Sequence, residues 1–286
     1  MAEQSRILFK ALHQQSEPLI LTNVWDAASA AIIQASGARA IATSSAALAW
    51  SLGYPDGQAL PKAALLDAVN NILRLSRVPV TIDIESGYSQ DPDEVAAFVA
   101  QLAELGVAGI NIEDGSAGVA EMVVKIKAIR AHPRCQGLFI NARTDVYLLG
   151  LASGDAAVAM TIDRLTQYQA AGADGGFIPG ATKVETAKRL STAVDMPLNF
   201  MLLNEQMDID ELFTAGVQRF STGPASFLRA YGTLLNPILL NSIKAKPFQQ
   251  QPKDAVIAAD NGFIYKVIAL DFEQMNNLFI PSSSCF

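Results

Sequence analysis

Asp83 and Glu85 stand one residue apart in the apolar run PVTIDIES, and Glu113 closes a second such run, AGINIE. Alternate side chains leave a β-strand on the same face, so Asp83 and Glu85 point together, and Glu113 on a neighbouring strand meets them at the same height. Three converging carboxylates repel one another unless a cation neutralises them, and an all-oxygen set without His or Cys suits Mg2+ or Mn2+ better than Zn2+. Each acid also has a local reading, because a carboxylate at a strand end can cap the helix that follows. Arg143, two residues before Asp145, is the one cation beside these acids. Its planar guanidinium can hold a substrate carboxylate through two parallel hydrogen bonds, or it can serve a structural ion pair with Asp145 or Glu113. Ser44 and Ser45 precede a helix starting near Ala46, where hydroxyls and backbone N–H groups either receive an anion or simply cap the helix. The chain has two histidines, His13 and His132, both away from the strand ends, which argues against serine-hydrolase chemistry.

Positioning these residues requires a particular order of elements. Eight short apolar runs, PLILTNVWD, RAIATSS, PVTIDIES, AGINIED, LFINARTD, GGFIPG, PLNFML and RFSTG, alternate with segments of helical period from about residue 18 to about residue 241. Pro92 to Leu105, Val119 to Ala131, Asp155 to Ala171 and Thr182 to Val194 are each long enough for an amphipathic helix, and several end at Gly. Eight βα units exceed the usual span of an open doubly wound sheet, and neither a GxGxxG turn nor a Walker A sequence occurs. The expected fold is an α/β (β/α)8 TIM barrel over residues 1–241, with its active site at the C-terminal ends of the strands. Asp26, Asp114, Asn141 and Asn199 join the candidates there. Residues 242–286 read as a linker, KAKPFQQQPKDA, and a C-terminal helical extension with helical period from Tyr265 to Leu278.

Bulk composition narrows the function classes. Of 286 residues, 50% are hydrophobic and 17% charged, enough apolar material for one large core. The formal net charge of −7 removes the basic footprint of a nucleic-acid or anionic-membrane binder. Cys135 and Cys285 fall in no metal-ligand or CxxC spacing and read as free thiols, which fits a reducing compartment. The N-terminal residues lack the features of a signal peptide, no run is long enough to span a membrane, and the expectation is a cytoplasmic protein.

Several motifs agree in order with one known family. The chain resembles the isocitrate lyase and phosphoenolpyruvate mutase superfamily, including its carboxyphosphonoenolpyruvate phosphonomutase-like members, from about Pro18 to Ala230. The carriers are VWDAASA at Val24, ATSS at Ala42 with LGYPD at Leu52, DIESGY at Asp83, IED at Ile112 and NARTD at Asn141. DIESGY is similar to the family's DxDTGY metal motif, with Glu85 in place of the second Asp. The resemblance implies a lyase or phosphonomutase that depends on Mg2+ (or Mn2+) and acts on a small 2-oxo or 2-hydroxy acid. It would cleave or form a C–C or C–P bond, or decarboxylate, through an enolate-like intermediate. By the same resemblance Asp83, Glu85 and Glu113 hold the metal directly or through water, and Asp56 helps as an outer ligand. Ser44, Ser45 and Ala46 stabilise the enolate oxygen and Arg143 takes the carboxylate. Trp25 and the strand-end Asn199 are further substrate-side candidates.

The departures are as informative. After Glu113 the chain passes through Asp114, Gly115, Ser116, Ala117 and Gly118 into a helix, without the family's lid or its acid Cys, and Phe177 to Gly180 lack the His found after the sixth strand. Typical isocitrate or 2-methylisocitrate lyase activity is therefore not expected. A decarboxylase or lyase on a small oxo acid needs the least further machinery; the alternative is a catalytically degenerate barrel that binds a small carboxylate as a sensor or partner protein. The resemblance also implies a homo-oligomer, a dimer or tetramer with exchanged C-terminal helices.

Overall fold

The structure is a computed structural model, and it describes residues 2–203, 207–235, 256–260, 263–267 and 272–279. In chain order, α1 (Ala2–Leu12) precedes β1 (Leu19–Leu21), β2 (Asn23–Val24), α2 (Ala27–Ala35), β3 (Ile41–Thr43), α3 (Ser45–Ser51) and α4 (Lys62–Leu75). Next come β4 (Val80–Asp83), α5 (Pro92–Leu105), β5 (Gly109–Glu113), α6 (Val119–Ala131), β6 (Phe139–Arg143), α7 (Gly154–Ala171) and β7 (Gly175–Ile178). The barrel ends with α8 (Val184–Ala193), β8 (Leu198–Met201), α9 (Ile209–Thr214), β9 (Val217–Ser221) and α10 (Ala225–Gly232). Nine strands pair in parallel in the order β1-β9-β8-β7-β6-β5-β4-β3-β2. This is the (β/α)8 barrel expected from the sequence, with its first strand in two pieces, β1 on β9 and β2 on β3. Asn23 stitches the closure: its Oδ1 accepts the backbone N–H groups of Thr222 at 2.9 Å and Gly223 at 3.0 Å, and its Nδ2 donates to the carbonyl of Thr43 at 2.7 Å.

The helices form where local signals agree. Asp91 caps α5 by accepting from Asp93 N, Pro92 occupies the first turn, and Gly106 ends it at φ 104, a left-handed conformation that suits a residue without Cβ. On α4 the buried residues Leu65, Val69 and Ile72 recur at helical spacing and face the sheet. Strand residues turned outward, among them Ile82, Ile110, Ile112 and Ile140, pack with those helix faces into the main core, and Ile84 just beyond β4 joins them.

The barrel interior is divided by height. Its floor is apolar: Phe9 and Leu12 from α1 join Leu19, Leu21, Ala42 and Phe139. Phe9 occupies the space that opens at Gly109, where an added Cβ would lie 2.9 Å from its ring. Above the floor the buried residues are polar, including Asn23, Asp83, Asn111, Asn141, Asn199, Arg219 and Ser221.

Beyond α10 the described residues contain an antiparallel pair, β10 (Val256–Asp260) and β11 (Phe263–Val267), and a last helix, α11 (Phe272–Leu278). The helical period expected from Tyr265 is corrected here, since Tyr265 to Val267 lie in β11. The reason is local: Phe263, Ile264, Tyr265 and Val267 are aromatic or β-branched, and Asn261-Gly262, which lie outside the described residues, are the dipeptide most favoured between hairpin strands. The boundary at 241 and the segment KAKPFQQQPKDA lie outside the described residues. No helix among them is long and apolar enough to cross a membrane.

Candidate active site

The strands bring the acidic residues to the upper end of the barrel, and Asp83 is the most firmly placed. Its backbone N–H donates to Thr43 Oγ1 at 3.0 Å, its Oδ1 accepts from Glu85 N at 3.1 Å, and its Oδ2 accepts from Asn111 Nδ2 at 3.2 Å. The Oδ1 of Asn111 in turn accepts from Asn141 Nδ2 at 2.9 Å and Arg219 Nη2 at 3.1 Å. Arg219 is 1% exposed and sits below Asp83 in the barrel. Burial pulls its guanidinium down to about 9, and the charge of Asp83 opposes that fall.

Above this network lies a cavity of about 320 Å3. Asn23, Ser44, Ser45, Ala46, Asp56, Asp83, Asn111 and Arg143 line its polar side; Leu148, Phe177, Met201, Pro224 and Phe272 line its apolar side. Ser44 is the N-cap of α3, its Oγ accepting from Ala47 N at 3.3 Å, so the first turn of the helix meets the cavity.

Asp83, Glu85 and Glu113 do not converge into one close cluster: among the described residues no three His, Cys, Asp or Glu side chains gather closely enough to surround an ion. Glu85 adopts φ 50, and its Oε1 accepts from the hydroxyl of Tyr88 at 3.2 Å, which takes the side chain off the cavity wall. Glu113 is bound to Arg143, Oε2 to Nη1 at 2.7 Å. The second carboxylate on the wall is Asp56, whose Oδ1 is buried without a partner. Burial pushes the Asp56 carboxyl up to about 6, with Asp83 adding to the rise, and burial with Asp56 and Asp83 pushes Glu85 up to about 8. Burial also raises Glu113, against the pull of Arg143. Hard oxygen donors that repel one another, one of them orphaned, are a set that a divalent cation would satisfy.

Arg143 is ion-paired and also faces the cavity. Its Nε and Nη2 donate to Asp145 at 2.6 and 3.1 Å and its Nη1 to Glu113, while the side chain also lines the cavity. Those two carboxylates hold it firmly protonated against burial. Asp114 faces away from the cavity: it accepts from Asp145 N at 3.0 Å, Arg164 Nη1 at 2.7 Å and the Tyr168 hydroxyl at 2.6 Å, and so braces the Arg143 to Asp145 turn. Asp26 is a helix cap, accepting from Ser29 N at 2.7 Å.

Two expected substrate contacts lie off the cavity wall. Trp25 does not line the cavity; its ring packs edge-on against Phe227 with centroids 5.1 Å apart. Asn199 is fully buried in the barrel interior, donating to Ser221 Oγ at 3.4 Å, below the cavity wall. Asn111 and Arg219 went unread, although Asn111 carries a signal, standing two residues before Glu113 on the same strand face. Phe272 has no sequence signal of any kind.

The phosphoenolpyruvate phosphomutase family matches residues 9–238. An uncharacterised protein of Mycobacterium tuberculosis (strain H37Rv) is 37% identical over 221 residues, which are 77% of this chain and 83% of that one. An oxaloacetate decarboxylase of Paraburkholderia xenovorans is 31% identical over 188 residues, covering 62% of this chain and 61% of the enzyme. A crystal structure from Burkholderia cenocepacia J2315, provisionally assigned as a phosphonomutase, superimposes with a TM-score of 0.77 at 36% identity, over 81% of this chain and 97% of that one. A barrel of this order, with Asp83, Asp56 and Arg143 on one cavity and a family match across 9–238, leaves one conclusion: the chain belongs to the phosphoenolpyruvate phosphomutase family, within the isocitrate lyase superfamily of lyases and phosphonomutases.

Proposed function

We propose that this protein is a Mg2+-dependent lyase that cleaves a small 2-oxo acid through an enolate, in the simplest case by decarboxylation. What supports the reading is the convergence on one cavity of two carboxylates, one guanidinium and a helix N-terminus, with no Cys, His or Lys among the described lining residues. Mg2+ (or Mn2+), when bound, supplies positive charge where the carbonyl oxygen becomes an enolate oxygen. Asp83 and Asp56 would hold it, with Glu85 and Glu113 acting at one remove through water. Arg143 receives the substrate carboxylate, its plane fixed beforehand by Glu113 and Asp145. Ser45 and Ala46 offer backbone N–H groups to the developing negative charge, while the Ser44 N–H is held by the carbonyl of Val24 at 3.2 Å. Leu148, Phe177 and Met201 give the cavity its apolar side. Decarboxylation asks for no protein acid in the bond-breaking step, and solvent then protonates the enolate. The likeness to an oxaloacetate decarboxylase points the same way.

The test is turnover of 2-oxo and 2-hydroxy dicarboxylates in Mg2+ and in EDTA. The expected result is Mg2+-dependent turnover that falls by at least about a hundredfold in Asp83→Ala and in Arg143→Ala. Turnover indifferent to EDTA overturns the reading.

A second reading, a barrel that binds a small carboxylate without turning it over, is favoured by the short connection from Glu113 to Val119, which brings no lid over the cavity. Calorimetry with oxalate or pyruvate and Mg2+ separates the two: tight binding without turnover supports this one. We also propose a homo-oligomer, in which the exposed Leu149 and Leu151 near the cavity rim are covered; light scattering giving a strict monomer would count against it.

A further inference from the structure

Phe272 and Asn276 lie beyond the family-matched residues 9–238, yet both reach the candidate active site. Phe272 lines the cavity and packs edge-on against Trp50 with ring centroids 5.1 Å apart. Asn276 Oδ1 accepts two hydrogen bonds, from the backbone N–H of Asp56 at 2.6 Å and from Trp50 Nε1 at 3.2 Å. Between them Met275 is 4% exposed and packs with Ala46, Ala47, Trp50 and Phe227. Phe272, Met275 and Asn276 fall at i, i+3 and i+4, so one face of α11 carries all three contacts. A helix of seven residues does not hold itself in water, and these contacts with the barrel are what keep it formed.

The placement has chemical consequences on both sides of the cavity. Asp56 sits between Pro55 and Gly57 in a turn that its own sequence favours, with Gly57 at φ 99, and Gln58, two residues on, has φ 62. The Asn276 oxygen fixes the Asp56 amide and with it the direction of the carboxylate on the polar wall. On the opposite side Phe272 completes an apolar surface with Leu148, Phe177, Met201 and Pro224. An unsubstituted dicarboxylate would leave that surface uncovered, whereas an alkyl branch next to the oxo group would bury it.

We infer that α11 sets the substrate range of this site: Phe272 is a specificity-determining residue favouring a 2-oxo acid with a short apolar substituent, and Asn276 is a positioning residue acting through Asp56. The choice of substrate rests on the 2-oxo acid reading above; the grip of Asn276 rests on geometry alone.

The experiment has two arms on the full chain. Calorimetry in Mg2+ compares oxalate, which has no side chain, with 3-methyl-2-oxobutyrate, which has a branched one. Phe272→Ala is expected to weaken the branched acid about tenfold and oxalate less than about twofold. Equal weakening of both overturns the specificity role. In the second arm, amide hydrogen exchange at Asp56 is expected to accelerate at least about tenfold in Asn276→Leu and to stay slow in Asn276→Asp, which keeps the accepting oxygen. Unchanged exchange in Asn276→Leu overturns the positioning role. If the wild-type protein binds neither acid in Mg2+, the 2-oxo acid reading and the role of Phe272 fall together, while the exchange arm still decides Asn276.

Discussion

Arg143 shows how one side chain serves structure and chemistry together. Three of its nitrogens are engaged by Asp145 and Glu113, and it still faces the cavity. A lysine would keep the charge and lose the planar fork that meets Asp145 twice, so its head group would no longer be fixed in direction. Arg143→Lys is therefore expected to fold as the wild type does while binding oxalate in Mg2+ at least about tenfold more weakly, measured by calorimetry. Affinity within twofold of wild type would mean that the fork is dispensable. At this scale the sequence was legible for residue type and height, since Asp83, Arg143, Ser44 and Ser45 all reach the cavity as expected. It was not legible for Glu85, whose positive φ arises from the tight turn through Gly87 and Tyr88 and turns the carboxylate toward Tyr88.

Elements are held in register by buried polar braces as well as by apolar faces. Asp114 has a side chain with no exposure, and it joins the end of β5 to the turn after β6 and to Arg164 and Tyr168 on α7. Tyr168→Phe removes one donor and leaves the buried carboxylate short of a partner, at a cost of about 2 kcal/mol. A fall of several degrees in thermal midpoint is expected, read by calorimetry or circular dichroism. A midpoint unchanged within a degree would show that Arg164 and the Asp145 amide suffice. Helix positions were legible because amphipathic spacing and caps are local: α5 and α6 have the bounds read from sequence. The split between β1 and β2 was not, because it depends on how the ninth strand meets the first, nearly two hundred residues away along the chain.

At the scale of the molecule, the barrel floor carries a titration. His13 is 3% exposed, with Nδ1 2.8 Å from the carbonyl oxygen of Phe9 and its ring stacked on Phe139. Burial, with the charge of Arg219 adding to it, lowers its pKa from 6.5 to about 3. The fold therefore holds the neutral imidazole, and the unfolded chain takes up a proton first as pH falls. The contribution is complete above about pH 6.5 and is lost as pH drops toward 3, on the order of 3 kcal/mol between pH 7 and pH 4.5. Urea unfolding at the two pH values should show a smaller loss in His13→Phe than in the wild type. An identical loss in both would remove His13 as its cause.

The sequence by itself determined the barrel, its helix positions, the acidic strand ends and the family, because each is written in local periodicity or in short motifs. Only the tertiary structure decided which acids share the cavity, that Asn111 joins Asp83 to Arg219, and that Phe272 and Asn276 belong to the site. Arg219 and Asn111 are 108 residues apart, and Asn276 and Asp56 are 220 apart. No local preference encodes such pairs; they exist because closing the barrel and docking α11 bring distant side chains within hydrogen-bonding distance, where burial makes each bond obligatory.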